Sequence, residues 1–238
     1  MQRNPISVEF IESLWLFKFG KKEYIEKIPT EGLRFRDPDE YKKSERGSGL
    51  INDEHDSEIF LDLSDCKMAA KIDGKYKELN DLKICIKKPN AIESYKICCF
   101  SIPKIEIISK TEEETIFKLS SEYIQDIKNN FPDYDAACMI PRHDLEKMFE
   151  KRLAKVKYAP VKYFNDKSMN FSDIIRVPNE ETIFHKHISF DKQREYRIAI
   201  FDYDSEDYFP LDDTFQPVIW NIKNLNELLM KIKIDSEK

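Results

Sequence analysis

Four polar side chains crowd one short stretch of this sequence: Gln193, Arg194, Glu195 and Arg197, at the entrance to the run Glu195-Tyr196-Arg197-Ile198-Ala199-Ile200-Phe201. The run has the aromatic and β-branched content of a strand and contains no breaker. Alternate residues of a strand share a face. Gln193, Glu195 and Arg197 therefore point one way, and Arg194 and Tyr196 the other. A carboxylate set between an amide and a guanidinium is a preorganised polar site. The plainer reading of the same residues is a solvated cross-strand ion pair, which contributes only a fraction of a kcal/mol.

Other clusters carry less chemistry. Asp53, Glu54, His55, Asp56 and Glu58 gather in the polar stretch 46–58, but their spacing is not that of an EF-hand loop. A solvated loop is the better reading. His185 and His187 stand two apart with no third ligand nearby, and His143 reads as a surface or capping residue, so no metal site is expected. The five cysteines are odd in number and include no CxxC, which fits reduced, buried thiols rather than a disulfide framework. With 5 glycines in the chain and no GxGxxG or GxxxxGK[ST], a glycine-rich phosphate loop is not expected.

The elements that must position the polar stretch are mostly strands. Residues 14–19, 33–36, 59–64, 66–72, 82–87, 97–100, 114–119, 135–140, 156–164 and 217–222 read as strand material. Asp73-Gly74 marks a hairpin turn, and Pro160 marks an edge or a bulge. Arg34 and Arg36 fall on one face of their short strand and Phe35 on the other. Helices are expected at 21–28, ended by Pro29, with Tyr24, Ile25 and Ile28 inward. Further helices are expected at 121–130, capped by Ser120 or Ser121, at 141–157 with Pro141 in the first turn, and at 224–233, capped by Asn224. Residues 38–45, with Tyr41, suit a helical turn.

The fold class is therefore α+β: a central, mostly antiparallel sheet with about four short peripheral helices. The 238 residues suit a single domain, 1–238, with loop insertions near 46–58 and 202–214. A net charge of -6 argues against a general nucleic-acid binder and suits a basic protein partner or target. No apolar run approaches the length of a membrane span and the first residues are not a signal segment, so a cytoplasmic protein without membrane association is expected.

Three short motifs, in order, resemble a known pattern: Leu33-Arg34-Phe35-Arg36, then Cys99-Phe100-Ser101, then Gln193-Arg194-Glu195 opening a strand. The order is similar to that of ADP-ribosyltransferases of the arginine-serine-glutamate type. More broadly, the chain resembles poorly characterised bacterial proteins linked to abortive phage infection. That resemblance rests on Leu16 to Phe19 with Leu33 to Phe35, on Cys99 to Ser101, and on Phe184, Lys186 and Phe190 to Arg197.

The resemblance implies a phage-defence effector that cleaves NAD and transfers ADP-ribose to an acceptor. Cleaving nicotinamide from NAD passes through an oxocarbenium-like sugar, as glycoside hydrolysis does. Glu195 would bond the ribose hydroxyl and stabilise the developing positive charge. Gln193 would orient the acceptor, Arg34 or Arg36 would clamp the diphosphate as planar bidentate donors, and Ser101 would support the ribose pocket. The alternative is a non-catalytic binding module, an antitoxin or a sensor of a phage product, in the same setting.

Overall fold

The computed structural model describes residues 7–38, 57–62, 68–79, 83–87, 94–165, 176–202, 208–212 and 215–233. Ser7 caps the first helix, Val8–Ser13, its hydroxyl accepting from the Phe10 amide at 3.1 Å. Strand β1 (Trp15–Gly20) follows, then two single-turn helices, Lys22–Ile25 and Ile28–Glu31, and β2 (Leu33–Arg34). Pro29, expected from sequence to end a helix, instead sits in the first turn of Ile28–Glu31, where a missing amide proton costs nothing. Tyr24, expected inward, is exposed, whereas Ile25 and Ile28 are buried.

Strands β3 (Ile59–Asp62), β4 (Met68–Ile72), β5 (Lys75–Leu79) and β6 (Lys83–Lys87) form two small antiparallel pairs, β3 with β6 and β4 with β5. Asp73 and Gly74 both have positive φ, 51° and 78°, as a two-residue hairpin of this type requires. Then come β7 (Tyr95–Ser101), β8 (Ile105–Lys110), β9 (Glu114–Leu119) and the helix Ser121–Asn130, capped by the Ser120 hydroxyl. β8 has no counterpart in the sequence reading. After β10 (Ala136–Pro141), the helix Arg142–Arg152 is five residues shorter at its C-terminal end than the sequence suggests. The chain passes at Val156 into β11 (Val156–Pro160), followed by β12 (Lys162–Phe164).

The 3-10 helix Asn179–Phe184, β13 (His185–His187) and a second 3-10 helix, Ile188–Gln193, lead into β14 (Glu195–Phe201). The chain closes with β15 (Tyr208–Phe209), β16 (Val218–Asn221), a 3-10 helix at Ile222–Glu227 and β17 (Leu229–Lys233). The helix expected at 224–233 is therefore a 3-10 turn and a strand. Leu229 to Lys233 pair with β9, and this tertiary pairing overrides the helix-forming content of the segment.

The fold is α+β. A six-stranded sheet in the order β11-β14-β7-β1-β10-β16 is antiparallel at every pairing, and β17-β9-β8 form a smaller antiparallel sheet. One face of the large sheet packs Phe100, Ile140, Tyr196, Ile198 and Ile200 against Leu145, Met148 and Phe149 of the helix Arg142–Arg152. Phe35, Phe149 and Phe209 meet there, with ring centroids 4.6 to 6.3 Å apart. Each such side chain contributes about 1.5–3 kcal/mol by full burial.

The other face is covered in two parts. Phe17, Ala137 and Met139 pack against Ile11, Phe117 and the helix bearing Tyr123, Ile124 and Ile127. Ile97, Ala199 and Phe201 pack against Ile183 and Phe184. No helix among the described residues is long and apolar enough to cross a membrane. The expected helical turn at 38–45 with Tyr41, and most of the two proposed loop insertions, lie outside the described residues.

Candidate functional site

The two apolar clusters on that second face leave a seam between them, and the polar residues fill it. β7 and β14 run antiparallel with Glu195 opposite Ser101, Arg197 opposite Cys99 and Ala199 opposite Ile97. Opposed residues of a ladder share a face, so Ser101, Cys99, Glu195 and Arg197 form a polar patch continuing the Ile97–Ala199 contact. All seven residues of β14 are buried, because paired strands flank it and both faces are covered.

Glu195 is the centre of a buried network. Its Oε1 accepts from Arg197 Nε at 2.5 Å and its Oε2 from Lys186 Nζ at 3.2 Å. Lys186 Nζ also donates to Gln193 Oε1 at 2.9 Å and stands 4.8 Å from the centre of the Phe190 ring. Arg197 Nη1 donates to the Ile183 carbonyl at 2.7 Å and to Ser57 Oγ at 3.1 Å. The exposures are 6% for Glu195, 0% for Arg197, 5% for Lys186 and 6% for Gln193, so the ion pairs are interior ones.

Burial works against the charged form of Glu195. The charges of Arg197 and then Lys186, with hydrogen bonds from Arg197 and the Cys99 thiol, outweigh it. They hold the carboxyl well below the usual carboxylate range. Burial pushes the neighbouring Cys99 thiol well up, helped by the Glu195 charge. Tyr163, whose hydroxyl accepts from the Glu195 amide at 2.8 Å, is likewise pushed up, by burial first and then by Glu195.

Gln193 differs from the sequence reading. It ends the 3-10 helix instead of entering the strand, and β14 starts at Glu195. Between them Arg194 adopts the left-handed conformation, φ 45° and ψ 47°. Gln193 and Glu195 still converge, because Lys186 bonds both.

Ser101 is committed locally. Its hydroxyl donates to the Gln193 carbonyl at 2.7 Å and accepts from Tyr123 Oη at 2.9 Å. A serine hydroxyl has a single proton to donate. Ser101 therefore braces the Gln193–Glu195 turn.

Arg36 reaches the same sheet face by a different route, whereas Arg34 belongs to the separate β2–β15 pair. Gly32, with φ 97°, lets the chain pass so close to β15 that a Cβ there would lie 2.1 Å from the Phe209 carbonyl oxygen. β2 then pairs with β15, and Arg34 Cζ stands 5.8 Å from the centre of the Tyr208 ring. Arg36 makes an isolated antiparallel bridge to Ile97, donating to its carbonyl at 3.0 Å and accepting from its amide at 2.8 Å. Arg36 is thus on the face of Ile97 and Ser101, but about 13 Å farther along β7 at the usual rise per residue.

Lys186, Tyr163, Ser57 and Tyr123 are site residues to which the sequence reading assigned no role. Lys186 carried a signal, as a lone lysine in the block Phe184 to Phe190 that contributes to the phage-defence resemblance. The other three come from distant segments that only the fold brings together. His185 Nδ1 lies 2.9 Å from the Glu181 carbonyl, and burial lowers its affinity for a proton. His187 Nδ1 lies 2.8 Å from Ser189 Oγ. Among the described residues no group of three or more His, Cys, Asp or Glu could hold a metal ion. No family model matches the chain, and neither a curated protein nor a solved structure matches it.

Proposed function

We propose that the chain is a phage-defence effector of the ADP-ribosyltransferase-like kind, cleaving NAD at the sheet face that carries Arg36, Ser101 and Glu195, with Arg34 on the neighbouring β2. The observation that supports this reading is the shared face: Glu195 opposes Ser101, and Arg36 opposes Ile97 on the same strand. Arg36 lies at one end, suited to a diphosphate, and the carboxylate at the other, suited to a ribose; a ligand spanning them must displace Ile183 and Phe184 from Ile97 and Ala199. Arg197 and Lys186 keep Glu195 ionised, the state that stabilises an oxocarbenium-like sugar. Ser101 and Gln193 then act on Glu195 and its turn, a smaller part than the resemblance assigns them. For a ribose to meet Glu195, Lys186 must leave Oε2, where its bond is 3.2 Å against 2.5 Å for the Arg197 bond.

A second reading is favoured by the same saturation. Both Glu195 oxygens accept from buried cations, so the network also suits the rigid centre of a non-catalytic binding module with a protein partner. NAD separates the two. A rise in melting temperature with NAD, diminished in Arg36→Ala, favours the first reading. No shift, with wild-type stability intact, favours the second.

A further inference from the structure

The left-handed residue between Gln193 and Glu195 is an arginine, where glycine or asparagine would sit with least strain. Non-glycine residues keep such a conformation only when their surroundings hold them there. Here the hold is visible on both the main chain and the side chain. The Arg194 amide donates to the Asp191 carbonyl at 3.0 Å, and its own carbonyl accepts from the Ile102 amide at 2.8 Å. The guanidinium donates through Nε to the Ile102 carbonyl at 3.0 Å and through Nη2 to Glu12 Oε2 at 2.8 Å, with the Pro103 carbonyl 3.5 Å away. Glu12 in turn accepts from the Ile105 amide through Oε1 at 3.0 Å.

Arg194 thus ties the turn into β14 to the connection leaving β7 and to the first helix. On the other side of the turn, Ser101 holds the Gln193 carbonyl and is itself held by Tyr123. An extended residue at 194 would run Gln193 straight into the strand. The left-handed one ends the 3-10 helix, so that Gln193 arrives from the helix and Glu195 from the strand at the same Lys186 ammonium.

We infer that Arg194 is a positioning residue: its clamp to Glu12 and to the Ile102 carbonyl sets the geometry in which Gln193, Glu195 and Lys186 meet. The inference rests on the reading of Glu195 as the working carboxylate only for its effect on turnover, not for its effect on the geometry. Glycine at 194 tolerates the left-handed backbone but removes the clamp, whereas lysine retains a cation able to reach Glu12.

The test uses the full chain with Arg194→Gly and Arg194→Lys. Three quantities are read: melting temperature, the Lys186 Nζ resonance in 15N-labelled protein (assigned by its loss in Lys186→Met), and nicotinamide release from NAD. Arg194→Gly is expected to stay folded yet shift or broaden the Lys186 Nζ resonance and to lower kcat at least tenfold with KM little changed. Arg194→Lys should restore part of both. An Arg194→Gly protein with the wild-type Nζ resonance overturns the inference whatever the activity. If the wild-type protein releases no nicotinamide, the proposed activity fails while the Nζ resonance still decides the role of Arg194.

Discussion

Glu195 and Arg197, two residues apart on one strand, form an ion pair at 2.5 Å in which the arginine is wholly buried. A pair this deep gains little over an apolar replacement of the whole set, because desolvation offsets the attraction. Removing one partner alone is different, since it leaves the other charge buried without its counterion. Arg197→Met should therefore lower stability by about 3–5 kcal/mol, read as a shift in the urea midpoint at neutral pH. Loss of the bonds to the Ile183 carbonyl and Ser57 adds to the effect. A change within about 0.5 kcal/mol, the range of ordinary surface substitutions, would show that the pair is not buried as described.

Stability should also depend on pH through Glu195. The folded carboxyl titrates well below its ordinary value of 4.5, so the folded state holds the proton less tightly than the unfolded chain. Its contribution is fully present above pH 4.5 and is lost as the pH falls below that value toward the folded pKa. The stability difference between wild type and Glu195→Gln should be constant from pH 7 to about pH 5 and shrink below 4.5. Denaturant unfolding at half-unit pH steps measures it, and a difference that stays constant down to pH 3 would contradict the depressed titration.

The approach of β2 to β15 hinges on Gly32. Any side chain there meets the Phe209 carbonyl at 2.1 Å, and the backbone φ of 97° is itself unfavourable for residues with a Cβ. Gly32→Ala should displace β2, and with it Arg34, Phe35 and the contact of Phe35 with Phe149 and Phe209. A loss of more than about 2 kcal/mol is expected, as for other incompatible backbone substitutions. Thermal unfolding by circular dichroism checks it, and a melting temperature equal to that of wild type would show that the turn can open without cost.

Much of this arrangement was legible in the sequence. The aromatic and β-branched content of Glu195 to Phe201, the apolar run ending at Ser101 and the Asp73-Gly74 turn each reflect a local preference that the fold obeys. The ends of the chain's helices were less legible. Residues 156–157 and 229–233 carry helix-compatible side chains, but β14 and β9 recruit the strands there through main-chain pairing that no local pattern encodes. The site divided in the same way. Glu195 and Arg197 stood out by adjacency. The roles of Ser101 and Arg194 depend on Tyr123 and Glu12, which lie 22 and 182 residues away in sequence. Lys186 lay within a recognised block, yet its partners could be named only once the 3-10 helix had folded back onto β14.

The most direct test of the proposed function is nicotinamide release from NAD by the purified chain, with Glu195→Gln measured beside it and shown to be folded by circular dichroism. The proposal predicts release by the wild type and a rate at least about 100-fold lower in Glu195→Gln, the scale on which one electrostatic group acts in such a transition state. Wild-type release no faster than the background, or equal rates for the two proteins, would contradict it.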